Sequence, residues 1–170
     1  IKNYNHQLFN HYYDWLIKTI NILKESNEKW YIKFHPLSNI YGENIDELKS
    51  DINFLIGSSK NIEILKEKIP NKEIFKNCKK LVTYSGTASL EYAAFGKKAI
   101  VVYPNVLTER APNCVYFPSK MEDYKQLLLK NLNNSISKNH IKKAQDLIYM
   151  RDLILSSQND VEGSRIYQTT

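Results

Sequence analysis

Cysteine is scarce in this sequence, and its spacing argues against two classes of protein. The two cysteines, Cys78 and Cys114, have no metal-ligand spacing and can form at most one bridge. A structural zinc site or a disulfide framework needs more cysteines, or histidines, at defined intervals. Both are therefore interpreted as buried thiols in a reducing compartment, with no redox role and no metal.

Arginine is also scarce, although the chain is basic overall. Lysine and arginine together number 24 against 18 acidic residues, a net charge of +6, but only Arg110, Arg151 and Arg165 are arginines. Specific readers of nucleic acid use arginine forks on a clustered basic face. No nucleic-acid partner is predicted, and the lysines are interpreted as a solvated surface. A diffuse attraction to an anionic membrane or to phosphorylated substrates is the alternative.

Long apolar runs are missing as well. No stretch of about 18 consecutive apolar residues occurs, and the start of the chain lacks the features of a secretory leader. We therefore expect a cytoplasmic protein, with peripheral association at the inner face of the membrane as an option. The chain has 170 residues, 42% of them apolar, and begins at Ile1. These features predict one globular domain over 1–170, excised from a longer two-domain protein.

Short apolar segments alternate with helical patterns along the chain. Strands are predicted at 30–34, 62–65, 81–84 and 99–103, a loop at 104–118, and helices at 6–25, 44–56, 71–78, 87–95, 119–132 and 137–157. The helix at 119–132 is expected to start with a capping box of Ser119 and Glu122, and Gly96 to cap the helix before it. The alternation predicts an α/β fold with a small parallel Rossmann-like sheet of three or four strands flanked by helices.

Three predicted loops follow strands and would share one edge of this sheet. They begin with His35-Pro36, with Ser85-Gly86-Thr87 and with Pro104. Ligands of open α/β sheets bind outside the carboxyl ends of the strands. The edge formed by these loops is therefore the predicted binding site.

The turn at Ser85, Gly86 and Thr87 joins a strand to a helix and has the chemistry of an anion site. Amides of the first helical turn attract phosphate, Gly86 allows close approach, and Ser85, Thr87 and Ser89 offer hydroxyls. Glu91, one helical turn later, is suited to ribose hydroxyls. The same residues are also ordinary helix caps, and neither G-x-G-x-x-G nor G-x-x-x-x-G-K occurs.

His35 and Lys33 form the second half of the predicted site. A histidine at the end of a strand, ahead of Pro36, can donate a hydrogen bond to phosphate and offset its charge when protonated. Lys33 lies two residues earlier on the same strand face. The ordinary alternative is that His35 donates to a loop carbonyl.

Two segments resemble a known family. KFHP at 33–36 and VTYSGTASLEYAAFGKKAIVVYPN at 82–105, followed by YFPSKMEDYKQLLLKNL at 116–132, are similar to the C-terminal nucleotide-binding domain of GT-B glycosyltransferases. The likeness is to the enzymes of bacterial capsular and surface polysaccharide synthesis, including Kdo- and sialic-acid-transferring enzymes. The related glycerophosphotransferases of teichoic acid assembly share it.

The resemblance implies specific roles. His35 and the turn at Ser85, Gly86 and Thr87 would contact the phosphate of a nucleotide-sugar donor, and Glu91 would bind its ribose. The donor would be a CMP- or UDP-sugar. Gly86 stands where sialic-acid-type enzymes often have a second serine, and this departure leaves open whether the nucleotide is CMP, UDP or another one. The acceptor would be a glycan or a lipid-linked glycan. No cofactor or metal is implied, and the catalytic base would come from a preceding N-terminal domain, so that the fragment alone is expected to be inactive.

Besides a CDP-glycerol glycerophosphotransferase-like domain, two alternatives remain open. Nonhydrolysing UDP-GlcNAc 2-epimerases share the GT-B architecture, and LTERAP at 107–112 is similar to one of their motifs, whereas the residues after Gly86 depart from their pattern. The second alternative is a non-catalytic module that senses a nucleotide or docks a partner protein through its helices.

Overall fold

The computed structural model describes residues 8–34, 44–65 and 69–167, and for 156–167 it describes the backbone alone. The chain divides into two compact units. The first comprises residues 1–77 and 118–132, and the second comprises residues 78–117 and 133–170. In chain order the elements are α1 (Tyr12–Leu23), β1 (Trp30–Ile32), α2 (Ile45–Ile56), β2 (Ile62–Ile64), α3 (Asn71–Asn77), β3 (Val82–Thr83), α4 (Ala88–Ala94), β4 (Ala99–Val101), α5 (Val106–Arg110), a 3-10 helix (Pro112–Cys114), β5 (Val115–Tyr116), α6 (Met121–Leu129) and α7 (Lys138–Tyr167).

The first unit has a two-stranded sheet in which β1 and β2 run parallel, with Trp30 opposite Ile62. Its core contains a polar group of three side chains between α1 and α6. The Trp15 indole donates to the Tyr124 hydroxyl at 2.9 Å, and the Thr19 hydroxyl lies 2.7 Å from the same oxygen. All three side chains are buried. Their polar atoms satisfy one another, so this core tolerates the burial of a phenol and an indole N–H.

The second unit has a three-stranded parallel sheet in the order β3-β4-β5, with Val82 opposite Ile100 and Ala99 opposite Val115. Side chains of α4, α7 and the segment between β4 and β5 form its main apolar cluster. The fully or nearly fully buried members are Leu90, Ala93, Ala111, Cys114 and Ala144. Ala93 of α4 and Ala144 of α7 are small, which lets the two helices approach closely.

The predicted α/β class, with a small parallel sheet flanked by helices, is confirmed, but the described strands form two sheets, of two and three strands, where one sheet of three or four strands was predicted. The positions of the strands at 30–34, 62–65, 81–84 and 99–103 are confirmed with shorter bounds, and five described strands form two sheets. Gly96 has φ +85° and ends α4 in the left-handed conformation, as predicted.

Four details of the prediction were wrong. Residues 8–11 are not helical. Phe9 packs on Tyr124, with ring centroids 5.3 Å apart, and this contact explains why an apolar residue stands there without a helix. Lys120, not Ser119, is the N-cap of α6, and no side chain caps that helix. The expected loop at 104–118 contains α5, the 3-10 helix and β5, and α7 continues to Tyr167 instead of ending at 157.

Within the described ranges, no helix has both the length and the apolar character needed to cross a membrane.

Candidate functional site

The Ser85-Gly86-Thr87 turn lies at the carboxyl edge of the sheet in the second unit, beside the segment that follows β4. The Tyr103 amide donates to the Tyr84 carbonyl at 2.8 Å, and the Asn105 side-chain amide donates to the Ser85 carbonyl at 2.7 Å. Of the three loops predicted to share one edge, the structure therefore brings two together. The candidate site is built on these two segments.

Hydrogen bonds within the turn fix its shape. The Gly86 amide donates to the Thr83 hydroxyl at 3.2 Å. The Gly86 carbonyl accepts from the Ser89 amide at 3.2 Å and from the Ser89 hydroxyl at 2.8 Å. Ser89 is fully buried. The hydroxyl of this predicted ligand-binding residue therefore closes the turn.

Several donors of the turn have no partner in the described part of the chain. The amides of Thr87 and Ala88 donate to no described acceptor, and the hydroxyls of Ser85 and Thr87 make no hydrogen bond with described residues. Thr87 is exposed. Because α4 has seven residues, any attraction for an anion comes from these local donors rather than from a long helix.

Asn105 is a site residue that the sequence analysis missed. Its Oδ1 atom accepts from the amides of Leu107 and Thr108, both at 3.0 Å, and the Thr108 hydroxyl accepts from the Asn105 amide at 2.9 Å. This reciprocal pattern is a capping box at the start of α5. One side chain thus starts α5 and holds the turn through Ser85. The sequence did contain a signal for this capping box, namely an asparagine followed three positions later by a threonine.

Tyr84 and Tyr103 were also missed. Their rings are stacked, with centroids 5.6 Å apart and planes 6° apart. Tyr84 lies one residue after β3 and directly precedes the turn, and Tyr103 lies two residues after β4. The pair therefore gives the site an aromatic surface beside its polar turn.

Glu91, the predicted ribose ligand, pairs with α7. The Arg151 guanidinium approaches the Glu91 carboxylate at 3.4 Å and also contacts Asp152 at 2.7 Å. Both side chains of the Glu91 pair are more than two-thirds buried. This ion pair joins two packed helices. The structure thus gives a structural role to the Glu91 carboxylate, which was predicted from sequence to bind a ligand.

The other predicted site residues belong to the first unit. The Lys33 ammonium donates to Asn71 Oδ1 at the start of α3. His35 and Pro36 lie outside the described residues. The predicted contribution of the histidine to the phosphate site stays a prediction.

Polar contacts also hold the segment that leads into β3, on the other side of the strand's residues from the turn in the chain. The Cys78 carbonyl accepts from the Tyr92 hydroxyl at 3.2 Å and from the Lys97 ammonium at 2.9 Å. Burial raises the pKa of the Cys78 and Cys114 thiols and of the Tyr92 phenol. These groups stay protonated at neutral pH.

Both cysteines are free, with Cys114 buried and Cys78 partly buried, in agreement with the sequence analysis. No cluster of three or more histidine, cysteine or acidic side chains that could hold a metal ion occurs in the described ranges.

A scan against protein-family models, a search of curated proteins and a search of solved structures each find no match to this chain.

The geometry predicts a structural cost for Gly86→Ala. A Cβ atom at Gly86 would lie 2.9 Å from the Thr83 hydroxyl oxygen, so Thr83 must rotate and release the Gly86 amide. We expect a loss of about 1–2 kcal/mol in the free energy of unfolding, measured by urea denaturation.

Thr83→Ala supplies the control for this substitution. In the Gly86→Ala background, Thr83→Ala removes the clashing oxygen. Thr83→Ala should therefore lower the free energy of unfolding less there than in the wild-type chain. Equal costs in the two backgrounds would mean that the hydroxyl is not the obstacle.

Proposed function

We propose that this chain is the nucleotide-sugar donor-binding domain of a glycosyltransferase that makes bacterial capsular or surface polysaccharide. Three things support the proposal: the Rossmann-like α/β fold, the turn at the carboxyl edge of its parallel sheet, and the resemblance of residues 33–36, 82–105 and 116–132 to GT-B enzymes. The protein would act at the cytoplasmic side of the membrane, where it would pass sugar to a glycan or lipid-linked acceptor.

The observation that carries the proposal is the position of the Ser85-Gly86-Thr87 turn. It lies between β3 and α4 and is held by Asn105 against the next strand's loop. The carboxyl edge is where parallel α/β sheets bind ligands, and a turn with uncommitted amide and hydroxyl donors is suited to phosphate oxygens.

In the proposed reaction this chain stabilises the departing nucleotide. Charge develops on the phosphate as the glycosidic bond to the donor breaks, and fixed donors at that position lower the barrier. Thr87, Ser85 and the Ala88 amide are the donors we assign. Deprotonation of the acceptor hydroxyl is assigned to a carboxylate of a further domain.

Calorimetric titration with CMP, UDP and CDP tests the proposal. We expect saturable binding of at least one of them, weakened about tenfold in Thr87→Pro because this change deletes one amide donor. Thr87 has φ −62°, which proline adopts, so the fold should be retained. Thr87→Ala, which keeps the amide and deletes the hydroxyl, is the matched control and separates the two donors.

Absence of heat with all three nucleotides, from a sample whose circular dichroism shows it folded, would contradict the proposal. Binding that is equally strong in wild type and Thr87→Pro would contradict the assignment of the turn while leaving nucleotide binding in place.

A further inference from the structure

The stacked tyrosines beside the turn have a feature that the fold does not require. Tyr103 is 42% exposed, although its ring is held parallel to that of Tyr84. Large apolar side chains usually turn their area toward a core. Val106, three residues later and 65% exposed, adds a second apolar group to the same edge.

Stacking fixes the plane of the Tyr103 ring before any ligand arrives. A side chain that is already ordered loses little conformational freedom on binding, which favours affinity. The ring is also tied to the turn, since the Tyr103 amide donates to the Tyr84 carbonyl and Tyr84 is followed directly by Ser85. The aromatic surface and the phosphate-binding donors therefore belong to one rigid edge.

We propose that the outer face of Tyr103 stacks on the base of the nucleotide whose phosphate binds the Ser85-Gly86-Thr87 turn; this inference rests on the proposed function. Tyr84 and the turn are consecutive in the chain, and Tyr103 stacks on Tyr84. A ligand held by both the turn and Tyr103 therefore crosses the carboxyl end of β3.

The proposal names a ligand class. Aromatic stacking recognises the flat face that every base presents, so it selects a nucleotide over a sugar phosphate without choosing one base. Hydrogen bonds from elsewhere in the site would have to distinguish cytosine from uracil.

The test compares CMP and UMP with ribose 5-phosphate, which has the sugar and phosphate but no base. In calorimetric titrations of the whole chain, Tyr103→Ala should weaken CMP and UMP about tenfold and leave ribose 5-phosphate unchanged. Tyr103→Phe should keep nucleotide affinity, because it retains the ring. Tyr149→Ala, at a 67% exposed tyrosine on α7, is the matched control and should change neither ligand.

Shifts of the Tyr103 ring protons in NMR spectra on addition of CMP, and not of ribose 5-phosphate, would support the stack without any substitution. Nucleotide binding that is unaffected by Tyr103→Ala, or CMP bound no more tightly than ribose 5-phosphate, would overturn this inference alone. No binding of CMP, UMP, UDP or CDP by the wild-type chain would overturn it together with the proposed function.

Discussion

Replacing Leu90 with alanine is expected to lower the free energy of unfolding by about 2–5 kcal/mol, because it opens a cavity at the centre of the second unit. Leu90 is fully buried in the cluster that joins α4 and α7. Its neighbours there include Ala93, Ala144 and Cys114, all with exposed fractions of 0%. Two of these neighbours are alanines, so their side chains are too small to move into the space that Leu90 would leave.

The measurement must report on the second unit. Both tryptophans, Trp15 and Trp30, belong to the first unit, so tryptophan fluorescence would follow the wrong part of the chain. Hydrogen exchange of the amides in α4 and α7 reads the affected elements directly.

Leu153→Ala, at a side chain that is 52% exposed on α7, makes the same chemical change without a cavity and should cost less than about 1 kcal/mol. Equal costs for Leu90→Ala and Leu153→Ala would show that the contact between α4 and α7 does not stabilise the unit.

The α/β class could be predicted from sequence because its signals are local. The apolar strand at Ala99–Val101, the helical spacing before Gly96 and the glycine itself each follow from a few neighbouring residues. Elements as short as β5, with the two residues Val115–Tyr116, carry no periodicity. Tertiary pairing alone makes such a segment a strand.

The candidate site was predictable to a smaller extent, for a chemical reason. The hydroxyl of Ser89 and the carboxylate of Glu91 can bind phosphate and ribose, but the same groups can also close a turn or pair with arginine. Sequence gives the residue type and not its partner. Tyr84 and Tyr103 become neighbours only because β3 and β4 pair in one register, which depends on contacts distant in sequence.

Asn105→Ala is expected to cost about 2 kcal/mol in stability, since one side chain serves two elements. Loss of the N-cap of α5 accounts for about 1 kcal/mol, and loss of the bond to the Ser85 carbonyl for about 1 kcal/mol more. Urea denaturation, read by hydrogen exchange in α5 and α4, measures the change. Asn113→Ala, at an exposed asparagine that lies 3.3 Å from His140, is the control and should cost little.

Asn105→Asp separates the two tasks of this residue. Aspartate retains the oxygen that accepts from Leu107 and Thr108, so α5 keeps its cap. It loses the donor to the Ser85 carbonyl, however, and places a negative oxygen where the structure has an N–H 2.7 Å from that carbonyl. We expect nucleotide binding to fall more than about tenfold, through repulsion of both the turn and the phosphate.

Asn105→Ser completes the series, because serine caps the helix without adding charge. If serine and aspartate weaken nucleotide binding equally, the missing tether is the cause. If aspartate is much the worse, its charge near the phosphate is the cause. Unchanged binding in both variants would mean that the turn keeps its position without Asn105, and the assignment of this edge as the phosphate site would lose its main structural support.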